Sequence, residues 1–277
     1  MRESMETVSL FQKFACFFVF LISNRLGRIL FVDTNTLGRR IKKYATTYRA
    51  LEDIYTYSRT ESRGKGLFER IFTDILFHFV NAKGVRNRLR VIERELQKVI
   101  ISLHKKRVHI MSLGSGSARA ILETISVKTN GVVCDVTMVD KSRAALMYSQ
   151  KIAAALGLDG NLVWVKGLLE EFIKNGKDHP PDIVEMAGIM DYFSEDTAVE
   201  VLKQIHRLLL PGGALITCNI CVNPERQFLE KVLGWYMVYR DAGQLARIMK
   251  QAGFQEFKII QEPLSIHNIV IGHKANP

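Results

Sequence analysis

Val108-His109-Ile110-Met111-Ser112-Leu113-Gly114-Ser115-Gly116-Ser117-Ala118 is the stretch from which the fold can be read. An apolar run of strand length breaks into two glycines one residue apart, and Arg119 to Ser126 then continue as a helix. Strand, glycine turn and helix in that order suit a nucleotide-like cofactor, because glycine lets the backbone approach a ligand where a Cβ would clash. Twenty-six residues after Gly114, a second apolar run, Val136-Thr137-Met138-Val139, ends at Asp140. A carboxylate at the tip of the second strand is placed to accept hydrogen bonds from a ribose diol. Together these residues outline a cofactor site.

The glycine spacing narrows the cofactor. The dinucleotide fingerprint G-x-G-x-x-G asks for a third glycine where this chain has Arg119. The segment instead resembles the first motif of class I S-adenosylmethionine (SAM)-dependent methyltransferases, apolar-acid-apolar-G-x-G-x-G. Gly114 and Gly116 match it; Ser112 stands where that family has Asp or Glu, and Ala118 replaces the last glycine. Further elements are similar to the family in order. Asp182 to Gly188 reads as a fourth strand, with an acid at its start, running into a loop. Leu208-Leu209-Leu210-Pro211-Gly212-Gly213-Ala214-Leu215-Ile216 resembles the family's helix–Pro-Gly-Gly–strand junction, where Pro211 ends the helix and the glycines turn the chain into a fifth strand. Leu245 to Ala252 reads as a helix closed by Gly253, and Phe257 to Gln261 and Asn268 to Gly272 as strands six and seven.

This resemblance runs over residues 108–275. It implies an α/β fold, a Rossmann-like seven-stranded sheet with an antiparallel seventh strand, behind an N-terminal helical extension. It also implies SAM as cofactor and methyl transfer as the activity. On the same ground Ser112, Gly114, Gly116, Ser117, Asp140 and Lys141 would hold the methionine and ribose parts. Gly167 and Leu168 would flank adenine, and Ala187 and Gly188 would border the transferred methyl group. The expected division is an extension over residues 1–107 and a methyltransferase domain over 108–277.

Composition agrees with a large domain carrying an extension: 277 residues, 47% apolar, fill a sizeable core. The net charge of +11 is unevenly placed. Residues 1–107 hold 22 Lys and Arg against 10 Asp and Glu, whereas residues 108–277 hold 17 against 18. The extension therefore attracts anions such as nucleic acid, acidic lipid head groups or an acidic substrate, or simply presents a solvated basic face. Cys218 and Cys221 have C-x-x-C spacing, but no second pair or nearby histidine completes a zinc site, and no metal is expected.

Within the extension, Phe14 to Ile22 is uninterruptedly apolar between Lys13 and Arg25. Nine helical residues span about 14 Å, too little for a bilayer core of about 30 Å. A basic start and a small-residue cleavage site, the marks of a secretory signal, are missing. A cytoplasmic protein is expected, and two readings of the stretch stay open. It packs on the core and covers the substrate site, or it lies at a membrane interface helped by Arg25, Arg28, Arg39 and Arg40. Ser62 to Gly66 predicts a loop, Asn81 to Arg88 a turn and helix start, and Val85 to Leu103 an amphipathic helix entering the first strand.

The acceptor belongs near the segments leaving strands four and five, since open parallel sheets bind ligands at their carboxyl ends. Asp191, Tyr192 and His267 are the candidate catalytic residues; Tyr236, Tyr239 and Arg240 are the candidate acceptor contacts. Each has a plainer reading: Asp191 as a helix cap, Tyr192 as a core aromatic, Trp235, Tyr236 and Tyr239 as packing at helical spacing, Arg240 paired with Asp241, and His267 on a hairpin turn. The phrases Ala187 to Tyr192, Asn223-Pro224-x-Arg226 and Trp235 to Asp241 together resemble bacterial methyltransferases that form 3-hydroxy fatty acid methyl esters. A carboxylate, with a reference pKa of about 4, is ionised at neutral pH and requires no general base, whereas a hydroxyl nucleophile does. The expected acceptor is a small or lipid-like acid. Two other readings stay open: an RNA methyltransferase using the basic extension, and a non-catalytic SAM-binding protein.

Overall fold

The computed structural model describes residues 4–9, 24–57, 66–127, 129–158, 160–169 and 179–276. The apolar stretch from Phe14 to Ile22 lies outside them. Helices α1 (Asn24–Arg28), α2 (Thr36–Lys43), α3 (Tyr48–Tyr55), α4 (Leu67–Phe77) and α5 (Val80–Ser102) precede strand β1 (Arg107–Leu113). There follow α6 (Arg119–Ser126), β2 (Val133–Asp140), α7 (Arg143–Ala155), β3 (Leu162–Lys166) and β4 (Ile183–Met186). The chain closes with α8 (Glu195–Leu208), β5 (Ala214–Ile220), α9 (Ala242–Gln251), β6 (Glu256–Gln261) and β7 (His267–His273).

The strands form one seven-stranded sheet in the order β3-β2-β1-β4-β5-β7-β6. β1 pairs in parallel with β2 and β4, β2 with β3, and β4 with β5. β7 runs against β5: Lys274 N donates to Gly213 O at one end, and Cys221 N to Ile266 O at the other. β4 and β5 are buried along their whole length, as parallel strands covered on both faces must be. One face carries Met111, Leu113, Val184, Met186 and Leu215, packed on Val201, Leu202 and Ile205 of α8 and Ile248 and Met249 of α9. Strand alternation turns Ile110, Ser112, Ile183 and Glu185 to the other face.

Two compact units divide the chain. One comprises residues 1–88, 221–237 and 261–267, the other residues 89–220, 238–260 and 268–277. In the first, Phe31 is fully buried among Phe72, Phe79 and Phe228, with ring centroids 5.4–5.5 Å away. The second holds the body of the sheet.

Two local expectations differ from the structure. The phrase Asn81 to Arg88 is helix throughout rather than a turn, because α5 begins at Val80. Gly84 there serves close packing: a Cβ would stand 2.7 Å from Ile266 Cβ. Trp235 to Tyr239 are not helical. Gly234, in the left-handed region (φ +71°), ends the helical turn Leu229–Leu233, and the chain continues without regular structure to Asp241. Asp241 caps α9 in a reciprocal capping box with Gln244.

Candidate active site

Three loops meet at the carboxyl ends of β1, β2 and β3. The chain leaves Leu113 through Gly114 (φ +61°) and Gly116 (φ +54°), and Ser115 N donates to Val139 O at 2.9 Å. Gly116 N then donates to Asp140 Oδ2 at 2.8 Å, and Ser142 N to Asp140 Oδ1 at 2.7 Å. Gly167 N, after β3, donates to Asp140 O at 3.2 Å. The carboxylate expected to meet a ribose is thus oriented by one amide on each oxygen, at the junction of the glycine turn with the loops after β2 and β3.

The turn has no room for a side chain at Gly114. A Cβ there would lie 1.7 Å from Ile189 Cδ1, so the loop after β4 rests directly on the glycine. Ala118 occupies the left-handed region (φ +52°) immediately before α6. That conformation costs an L-residue about 1–2 kcal/mol, which explains why the resembling motif ends in glycine. Ser117 is buried; Lys141 and Leu168 are exposed. Gly167 has open space where its Cβ would be. Ser112, Gly114, Gly116, Asp140, Gly167, Ala187 and Gly188 are all carried by these loops or the strand ends that feed them.

Sequence reasoning missed Glu185. It is 6% exposed on β4, directly opposite Ser112 in the parallel register. Ser112 Oγ donates to its Oε2 at 2.6 Å, and Ala187 N to its Oε1 at 3.1 Å. The signal was a carboxylate inside a four-residue strand, Ile-Val-Glu-Met, that is otherwise apolar and wholly buried.

The residues expected to perform chemistry fall into different settings. Asp191 is 3% exposed; its Oδ1 accepts from Ile220 N at 2.7 Å and its carbonyl from Val238 N at 2.7 Å. Arg240, also buried, donates to Met190 O, Asn219 Oδ1 and Phe193 O at 2.9, 2.7 and 2.5 Å. Burial lowers its pKa, and the Asp191 and Glu195 charges oppose that. Asp191 and Arg240 therefore fix the turn Met190–Tyr192 against the end of β5. Tyr192 is 40% exposed, Tyr239 half-buried and Tyr236 exposed. Tyr236 belongs to the first unit and Tyr239 and Arg240 to the second.

His267, expected on a hairpin turn, is instead the first residue of β7 and is buried in the first unit. Burial, reinforced by the Arg88 charge and opposed by the Gly84 backbone, holds its pKa well below the usual histidine range, so it is neutral at physiological pH.

A sheet of this order, with a glycine turn after β1 and an oriented acid at the tip of β2, defines a Rossmann-like methyltransferase. Residues 44–274 match the model of the family described as "Putative methyltransferase", and the chain belongs to that family. It is 23% identical over 215 residues to the uncharacterized protein YnbC of Escherichia coli (strain K12); that match takes 73% of this chain and spans 36% of YnbC. Solved structures share the fold. A protein of Bordetella parapertussis described as a possible exported protein superposes with a TM-score of 0.70 at 17% identity, covering 87% of this chain and 83% of that one. Magnesium protoporphyrin IX methyltransferase of Synechocystis PCC 6803, solved with S-adenosylhomocysteine (SAH), gives 0.54 at 13% identity, covering 71% and 87%. Human N-acetylserotonin methyltransferase, solved with SAM, gives 0.51 at 16% identity, covering 82% and 66%.

Proposed function

We propose that the protein binds SAM at the glycine turn and methylates a small or lipid-like acid, with the carboxylate of a hydroxy fatty acid as the preferred acceptor. The observation that carries the cofactor assignment is Asp140, whose two oxygens are held by Gly116 N–H and Ser142 N–H beside a turn too tight for any side chain at Gly114. A carboxylate oriented this way accepts from the two hydroxyls of a ribose, and the open space at Gly167 suits an adenine edge. Ser112, Ser117 and Lys141 complete the proposed cofactor shell. SAM supplies a methyl group already activated as a sulfonium.

This chain's own part is to orient the acceptor and exclude water. The Asp191–Arg240 brace keeps the loop from Ala187 to Phe193 in one position over the strand ends, with Tyr192 at its exposed edge and Tyr239 following on the next segment. An ionised carboxylate needs no proton removed, which agrees with Asp191 serving as a brace and His267 being buried and neutral.

Residues 1–107 are proposed as an acceptor cover, with a membrane contact through 14–22 as the alternative reading of that stretch. No helix among the described residues is long and apolar enough to cross a membrane. Some basic residues of the extension are paired with its own acids: Arg40 with Asp53, Arg86 with Glu6, and Arg94 and Lys98 with Glu95.

Calorimetric titration tests the reading. The wild type is expected to bind SAM, and Asp140→Ala to bind it at least tenfold more weakly; equal affinity would sink the assignment. Mass spectrometry after incubation with cell extract should show a +14 Da product in the acidic lipid fraction. Methylated RNA alone would overturn the acceptor class.

A further inference from the structure

Helix α4 is apolar on two faces. Thr73, Leu76 and Phe77 are buried in the first unit, and Phe72 meets Phe31 edge to face at 5.4 Å. Leu67, Phe68 and Ile71 lie on the opposite side of the helix, exposed by 70%, 78% and 45%. A helix of a globular unit places one apolar stripe inward and polar residues outward, so a second apolar stripe marks a contact surface. The helical turn Ile29–Asp33 packs on α4 through Phe31, and Asn35 Nδ2 donates to Thr73 Oγ1 at 2.7 Å. That turn continues α1, and along the two Arg25 and Arg28 alternate with exposed Leu26 and Ile29. Arg39 and Lys43 of α2 and Arg70 of α4 itself are exposed as well. Over residues 24–57 the chain has seven Lys and Arg against three Asp and Glu.

We propose that the outer face of α4 docks on an anionic lipid surface, with Leu67, Phe68 and Ile71 entering the head-group region and the exposed cations drawn to lipid phosphates. Eleven helical residues span about 16 Å, so the helix lies in the plane of the interface and does not cross a core of about 30 Å. Charge decides the occupant. A second copy of this chain on the same face would bring two basic surfaces together and repel, whereas an anionic surface is complementary to them. Each cation near such a surface adds attraction, and salt screens it. The face is separate in sequence from residues 14–22, and the docking stands whatever the methyl acceptor is.

Co-sedimentation of the whole chain with vesicles provides the test. The wild type should bind vesicles of phosphatidylcholine mixed with phosphatidylglycerol at least tenfold more tightly than vesicles of phosphatidylcholine alone, and high sodium chloride should remove the difference. Leu67→Ser with Phe68→Ser should weaken binding to the mixed vesicles at least tenfold. Both side chains are exposed, so the urea midpoint of that double variant should match wild type. Arg70→Gln should weaken binding about fivefold, the equivalent of about 1 kcal/mol for one cation at the surface. Binding by the double variant equal to wild type would overturn the inference, because another segment would then carry the contact. So would equal binding to the two kinds of vesicle, or binding to neither. Should the double variant lose stability, the emission of Phe68→Trp decides: a blue shift beyond that of wild type on adding mixed vesicles supports the inference, and its absence refutes it. A wild-type dimer that the double variant dissociates in analytical ultracentrifugation would assign the face to self-association and overturn the lipid surface.

Discussion

Gly114 is the residue at which backbone and packing constraints coincide. Its φ of +61° already costs an L-residue about 1–2 kcal/mol, and a Cβ would also overlap Ile189 Cδ1. Gly114→Ala should therefore destabilise by more than the backbone cost alone. Adding Ile189→Ala should recover the steric part and leave the backbone part. Urea midpoints for the two single variants and the double variant check this; additive losses would show that Ile189 does not restrain the turn. The glycine turn and the acid at the tip of β2 were legible because turn and strand-tip positions demand particular residue types. Glu185 was not, because its importance lies in facing Ser112 across strands separated by 73 residues.

Helix α5 carries two carboxylates of opposite behaviour two positions apart. Glu93 is pushed up to about 8, first by burial and then by its hydrogen bond to Glu123 and that group's charge. Burial alone would raise Glu95 too, but hydrogen bonds from Lys258, Lys98 and Arg94 hold it at about 2. The signs follow from proton linkage. Glu93 holds its proton more tightly when folded, so its contribution is full below about 4.5 and is lost as pH rises towards 8. Glu95 contributes above about 4.5, and that contribution is lost as pH falls towards 2. Urea unfolding across this range should show Glu93→Gln flattening the decline between pH 4.5 and 8, and Glu95→Gln flattening the acid limb. An unchanged profile in either variant would contradict the assigned state. The amphipathic spacing announced α5 as a helix; which of its glutamates is paired depended on Lys258 and Glu123, both distant in sequence.

At the scale of the whole molecule, the first unit draws on three separate stretches of chain. Phe31 joins two of them, with Phe72 and Phe79 on one side and Phe228 on the other. Phe31→Ala should cost about 3–5 kcal/mol. Because the contact is long-range, the loss should appear as faster amide hydrogen exchange in residues 226–233 as well as in α4. Faster exchange confined to α4 would show that Phe228 is held by other contacts.

What the sequence determined by itself was local and periodic: the strand and glycine turn at 108–118, the acid closing β2 and the Pro-Gly-Gly junction. Each is set by backbone conformation or burial pattern within about ten residues, so one chain segment suffices to specify it. What only the tertiary structure decided was the use of polar groups that meet across the sheet. Asp191 and Arg240 became a brace, His267 a buried neutral residue, and Glu185 the partner of Ser112. A buried charge takes its role from whichever groups the fold brings within about 3 Å, and sequence spacing carries no record of those distances.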